Sequence, residues 1–166
     1  YGRAAEGLPA EARQFDFLIG AYDAQQEFLR PNANSIKFPS TTTAVYALNG
    51  SAILEFSWYN VDPSLPNAST SIIRIYNRAM RRWESLFMTN RGNGNLFFGG
   101  YKESDRIILT LFEHNTSDPR ISRFVFHSVE KDSYKWYGEN SSDHGKSYQK
   151  FWIIEMKKHT GDVTVN

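Results

Sequence analysis

The chain has 166 residues, a formal net charge of +1 and no cysteine. That length fits one domain, and the near-balanced charge argues against a nucleic-acid partner. The missing cysteines exclude disulfides, thiolate metal sites and a cysteine nucleophile, and no apolar run is long enough to span a membrane. Aromatic residues make up 15% of the chain, a composition that favours strands. The compartment stays open between cytoplasmic and secreted after removal of a leader.

Residues 1–14 read as an N-terminal arm, 15–159 as one domain and 160–166 as a frayed tail. Pro9 followed by helix formers predicts one or two helical turns ending at Gly20. A strand then carries Tyr22, Gln26 and Phe28 on one parity. Ser40–Leu48 is β-branched, and Asn49-Gly50 after it signals a hairpin. Ser51–Asn60 alternates, with Ala52, Leu54, Phe56 and Trp58 on one face and Glu55 and Ser57 on the other. A Pro-rich loop precedes the strand Thr70–Asn77. Arg82–Asn90 places Trp83, Ser85, Phe87 and Thr89 together, and Arg91–Asn95 is a turn.

Leu96–Glu103 contains Gly99-Gly100, which predicts a bulge. Strands over Arg106–His114, Arg120–Glu130, Tyr134–Asn140 and Lys146–Lys158 follow, separated by short turns. About ten strands joined by hairpins give an antiparallel meander, expected to close and so remove its edges. The expected fold is an all-β up-and-down barrel with a short N-terminal helical plug, and a two-sheet sandwich is the alternative.

The motif FDFLIGAYDAQ at Phe15–Gln25 resembles the opening of the calycin-like, lipocalin-like family DUF1579. The resemblance continues through GSAILEFSW, IYNRAMRRWESLF and DHGKSYQKFWIIEMKK. It implies a lipocalin-like barrel with an interior cavity, often dimeric, and no particular reaction. Tyr22 stands where relatives carry a Trp that closes the barrel base beneath a basic side chain, with Lys150, Lys157 and Lys158 as candidates for the cation.

None of His114, His127, His144 and His159 has metal-ligand spacing, so no metal and no cofactor is expected. Asp143-His144 lies in a turn, which makes it a poor catalytic pair. Arg78, Arg81, Arg82 and Arg91 read as solvated turn residues. The Asn-x-Ser/Thr matches at Asn49, Asn67, Asn115 and Asn140 read as chance. Glu55 and Arg74 fall on neighbouring strands and form either a solvated pair or, if that parity faces inward, a buried polar site. The recurring Trp58, Trp83, Phe87, Phe98, Phe124, Phe126, Trp136 and Phe151 either fill a core or line a cavity.

The leading expectation is binding of a small hydrophobic or aromatic molecule in the barrel. Tyr22, Gln26, Trp58, Trp83, Phe87, Phe98, Phe126 and Trp136 are the expected lining, with Arg74, Tyr76 and His127 as polar candidates if their strands face the other way. A ligand is one expected partner for the Gln26 amide. The second expectation is a cofactor-free cyclase, isomerase or lyase of secondary metabolism, with His127, Tyr76 or Glu55 as acid or base. The third is an interaction module with a filled barrel, forming a homodimer.

Overall fold

The computed structural model describes residues 1–59, 68–90, 92, 94–111 and 120–161. The predicted loop over 61–67, the positions Arg91, His114 and Asn115, and the end of the tail lie outside them. Ten strands run in chain order. They are β1 (Gly20–Phe28), β2 (Ile36–Ala47), β3 (Ala52–Tyr59), β4 (Ala68–Asn77) and β5 (Arg82–Thr89). The second half is β6 (Gly94–Glu103), β7 (Arg106–Leu111), β8 (Ile121–His127), β9 (Ser133–Ser141) and β10 (Gln149–Lys158). Each pairs antiparallel with the next, and β1 pairs with β10 to close the barrel. Closure leaves no unpaired sheet edge, the problem a long meander must solve.

Most turns fall where the residues that favour them predict. The β2–β3 turn is one residue wider than Asn49-Gly50, because Leu48, Asn49 and Gly50 all take positive φ. β2 starts at Ile36 rather than Ser40. Pro39 breaks the sequence signal there, yet it lies one residue beyond the end of the β3 ladder, where its missing N–H breaks no bond with β3. Asn140 lies in β9, which runs one residue further, to Ser141.

Two short 3-10 turns, Ala10–Arg13 and Asp16–Leu18, form the plug. Phe15 and Leu18 are fully buried in the barrel end, each contributing about 1.5–3 kcal/mol of apolar burial. Phe15 meets Trp83 edge-on at 5.1 Å and Phe126 at 5.3 Å between ring centroids. Hydrogen bonds tether the plug. Trp83 Nε1 donates to the Glu11 carbonyl at 3.0 Å, Tyr22 Oη to the Phe17 carbonyl at 2.6 Å, and the Gln14 amide to the Gly100 carbonyl. Gly100 takes φ +76°, and a Cβ there would stand 2.6 Å from the Trp83 ring and 2.7 Å from the Gln14 amide. The Gly99-Gly100 bulge, where the β6–β7 register slips, therefore seats the plug as well as bending the strand.

The alternation of side chains divides the barrel into two unlike halves. From β8 through β10 to β1 the inward positions are mostly apolar: Phe124, Phe126, Tyr134, Trp136, Trp152, Ile154, Met156 and Ala24. Charged residues stand outside, with Lys135 on Glu155 at 2.7 Å and His159 on Asp23 at 2.9 Å. From β2 to β5 polar residues share the interior with Phe38, Ile53, Ile72 and Trp83. Ser40, Thr42, Glu55, Ser57, Thr70, Arg74 and Ser85 are buried. Phe56, Trp58, Ile75, Leu86 and Met88 are exposed on the outer face.

Candidate functional site

The polar wall is built by cross-strand pairing. Ser57 faces Thr42 on β2 and Thr70 on β4, and their hydroxyls meet where Thr42 and Ser57 lie 2.8 Å apart. Nearer the plug, Arg74 pairs with Ile53 on one side and Ser85 on the other. Arg74 Nη1 donates to Glu55 Oε2 at 2.8 Å, and both side chains are buried. Of the two readings open in the sequence, the buried one holds. The guanidinium carbon lies 5.8 Å from the Phe15 ring centroid and 5.9 Å from that of Phe126. Such dry surroundings strengthen the pair but make any unmet donor costly.

Two groups on this wall are unmet. Among the described residues, Arg74 Nε and Ser85 Oγ are buried and have no hydrogen-bond partner. Arg74 is 3% exposed and Ser85 2%. Tyr134 comes near the same pair from the opposite wall. Its phenol is held well above the ordinary range by burial first and then by the Glu55 carboxylate, so it stays protonated.

The aromatic wall opposes them. Trp136 packs on Trp152 at 4.9 Å and on Phe124 at 5.1 Å. Phe97 stacks on Phe124 at 4.5 Å. Gly138 leaves room for this cluster, since a Cβ there would stand 2.6 Å from the Phe151 ring. Away from the plug, Phe28, Tyr59, Phe87, Leu111 and Phe124 point inward yet remain partly exposed. Beside them a groove of about 710 Å³ is lined by Leu29, Arg30, Asn140, Tyr148, Lys150 and Phe151. The end opposite the plug is thus the mouth.

The structure brings together Gln26, Glu55, Arg74, Phe87, Phe126 and Trp136 around the barrel interior. Tyr22, Tyr76 and Trp83 also point inward but belong to the plug end, where Tyr76 packs on Trp83 at 5.8 Å. Burial raises the Tyr22 phenol, and its bond to Phe17 ties plug to strand. Lys158 is the cross-strand partner of Tyr22, with its ammonium 3.7 Å from Asp132, and Lys150 lies over Tyr137.

Three expected positions are corrected. Trp58 is 43% exposed on the outer face, because in β3 the apolar parity points out and Glu55 and Ser57 point in. Phe98 is also outward, with Arg82 over its ring at 4.1 Å, since Phe97 takes the inward place on β6. His127 lies outside the barrel, bonded to Ser128 at 3.0 Å and against Tyr137. Burial and the nearby Lys150 and Lys135 lower its pKa. Gln26 does not wait for a ligand: its amide donates to Ser40 and accepts from Trp152 Nε1 at 3.0 Å. Asp143 organises its turn, accepting from the Lys146 and Ser147 amides and the Ser147 hydroxyl, which holds its carboxyl far below the usual range.

Ser85 was the residue that reasoning from sequence missed as a polar group of the site. The only signal was its place between Trp83 and Phe87 on an inward parity.

Plug, closed sheet and lined interior define a calycin-like, lipocalin-like barrel. Solved structures share it: Rv2717c from M. tuberculosis superposes with a TM-score of 0.63 at 10% identity, covering 92% of this chain and 99% of that one. The S-type phycobiliprotein lyase CPES from Guillardia theta superposes with a TM-score of 0.58 at 11% identity, covering 92% and 97%. No family model matches the chain, and no curated protein does. At such identities the likeness is one of fold.

Proposed function

We propose that the chain, read as a DUF1579-type calycin, binds a small hydrophobic or aromatic molecule in its barrel. The observation that carries this is the row of inward aromatics at the mouth that stays partly exposed while the plug end is sealed. An apolar lining with a few placed polar groups is what small-molecule sites use. A phycobiliprotein lyase among proteins of this fold is compatible with such a role. The test is native mass spectrometry of protein purified from its own source. A retained molecule with an aromatic or long apolar body is expected. An apo mass throughout, together with an interior filled by side chains in a crystal structure, overturns the reading.

We further propose that two copies pair through the outer face of β3–β6. Leu54, Ile73, Leu86 and Leu96 form one rung across that face, and Phe56 and Met88 flank Ser71 on the next. Phe56 stacks on Trp58 beside a pocket of about 320 Å³. The exposed apolar area is on the order of 500 Å², at the upper end for a monomer, and with a polar rim it nears the ~800 Å² per partner of a stable interface. A mostly apolar four-strand face, with the Arg82–Glu84 pair at its plug end, can meet its own copy about a twofold axis. Light scattering on the eluting protein is expected to give twice the chain mass of 19.1 kDa. A monomer at micromolar concentration overturns the pairing.

A further inference from the structure

The unmet donors on the polar wall narrow the chemistry of the ligand. A buried N–H or O–H without a partner costs about 1–3 kcal/mol, so two on adjacent strands mark a place where an acceptor belongs. Arg74 Nε and Ser85 Oγ belong to cross-strand partners and share the inward parity. The charge of Arg74 is already met by Glu55 at 2.8 Å. A second carboxylate here would share one guanidinium with Glu55 in dry surroundings, where like charges repel strongly. The protonated Tyr134 reports the same preference, since burial and Glu55 both disfavour another anion.

Building on the ligand reading above, we propose that Arg74 Nε and Ser85 Oγ together hold an uncharged oxygen acceptor, a ketone, ester or amide carbonyl. The apolar body of the ligand runs from there toward the mouth. Its path follows the inward positions of β4 and β5: Ile72 opposite Phe87, then Thr70 opposite Thr89. From Arg74 to Thr70 is four residues, roughly 13 Å of strand. That length suits a body of two or three fused rings, facing Trp136 and Trp152. The unpaired Ser85 hydroxyl is a local instability kept for binding.

Three matched naphthalenes test this: 2-acetylnaphthalene, 2-ethylnaphthalene and 2-naphthoate, titrated at neutral pH against tryptophan fluorescence. The ketone is expected to bind about tenfold tighter than the hydrocarbon, the worth of one hydrogen bond to a charged group, and tighter than the naphthoate. Ser85→Ala should shrink the ketone's advantage several-fold and leave 2-ethylnaphthalene unchanged. It should also raise the Tm of the unliganded protein by about 2–4 °C, because an unpaired hydroxyl is removed. Arg74→Lys, which keeps the charge but loses Nε–H, should abolish the preference if Ser85→Ala does not fold. Equal binding of all three probes overturns the carbonyl anchor and leaves the ligand reading standing. Tightest binding by 2-naphthoate overturns the neutral class. A lowered Tm in Ser85→Ala makes the hydroxyl structural and overturns its role. No binding by any probe sinks the ligand reading and the anchor with it.

Discussion

The stretch of the barrel from β8 to β1 and the stretch from β2 to β5 differ in what they bury. The first buries aromatics and turns Lys135, Glu155 and Asp23 to solvent, as a barrel with a filled interior does. The second buries Glu55, Arg74, Thr42 and Ser85 and exposes Phe56, Trp58, Leu86 and Met88. Hydrophobic burial, with the Gln26–Trp152 and Arg123–Glu139 bonds, stabilises the first as it stands. The second leaves Arg74 Nε and Ser85 Oγ unpaired within and an apolar surface without. On the reading proposed above, the difference separates the part of the molecule that holds the fold from the part that meets other molecules.

The largest expected effect comes from breaking the buried pair. Arg74→Met leaves Glu55 charged and unpaired and should cost about 3–5 kcal/mol in urea unfolding, whereas Lys135→Met on the ordinary half should cost less than about 1 kcal/mol. Replacing both partners, Glu55→Leu with Arg74→Met, should recover most of the loss; if it does not, the pair is more than a mutual neutralisation. Next, Leu86→Lys on the outer face should dissociate the proposed dimer while shifting the stability of the chain by only about 0.5 kcal/mol. A large loss of stability instead would make that face part of the fold.

The smallest effect belongs to the charged exterior. The folded pKa of His127 is lowered from the ordinary 6.5 by burial and by Lys150 and Lys135. Below pH 6.5 the unfolded chain therefore binds the proton first. Stability should fall as the pH drops from 6.5 through the folded value and level off beneath it, and His127→Gln should flatten that slope. An unchanged slope would assign the pH dependence to other groups.

The strand count, the bulge and the plug were legible because they rest on local rules. Gly99-Gly100, Asn49-Gly50 and Pro9 act on the backbone beside them, whatever the partner strand. The facing of β3 was not legible from alternation alone. Alternation tells which residues share a side, and the usual assumption that the apolar side is inward fails on β3. Trp58 was misplaced for that reason, and Phe98 because Phe97 beside it takes the inward place on β6, while Trp83, Phe87 and Trp136 were placed inward. The partners of Gln26 were hidden because Trp152 lies 126 residues away in sequence. No short-range pattern carries a contact at that distance.

That bond also bears on how the protein reaches its shape. Every ladder but one joins neighbours in the chain and forms by zippering a hairpin, which needs little loop closure. The β1–β10 seam must instead bring together the two ends of the domain, and the Trp152 bond to Gln26 lies on it. The seam is therefore the ladder with the largest loop-closure cost. Moving the termini into the turn at 78–81 would convert the seam into a local hairpin and transfer that cost to β4 and β5, the strands that carry Arg74 and Ser85.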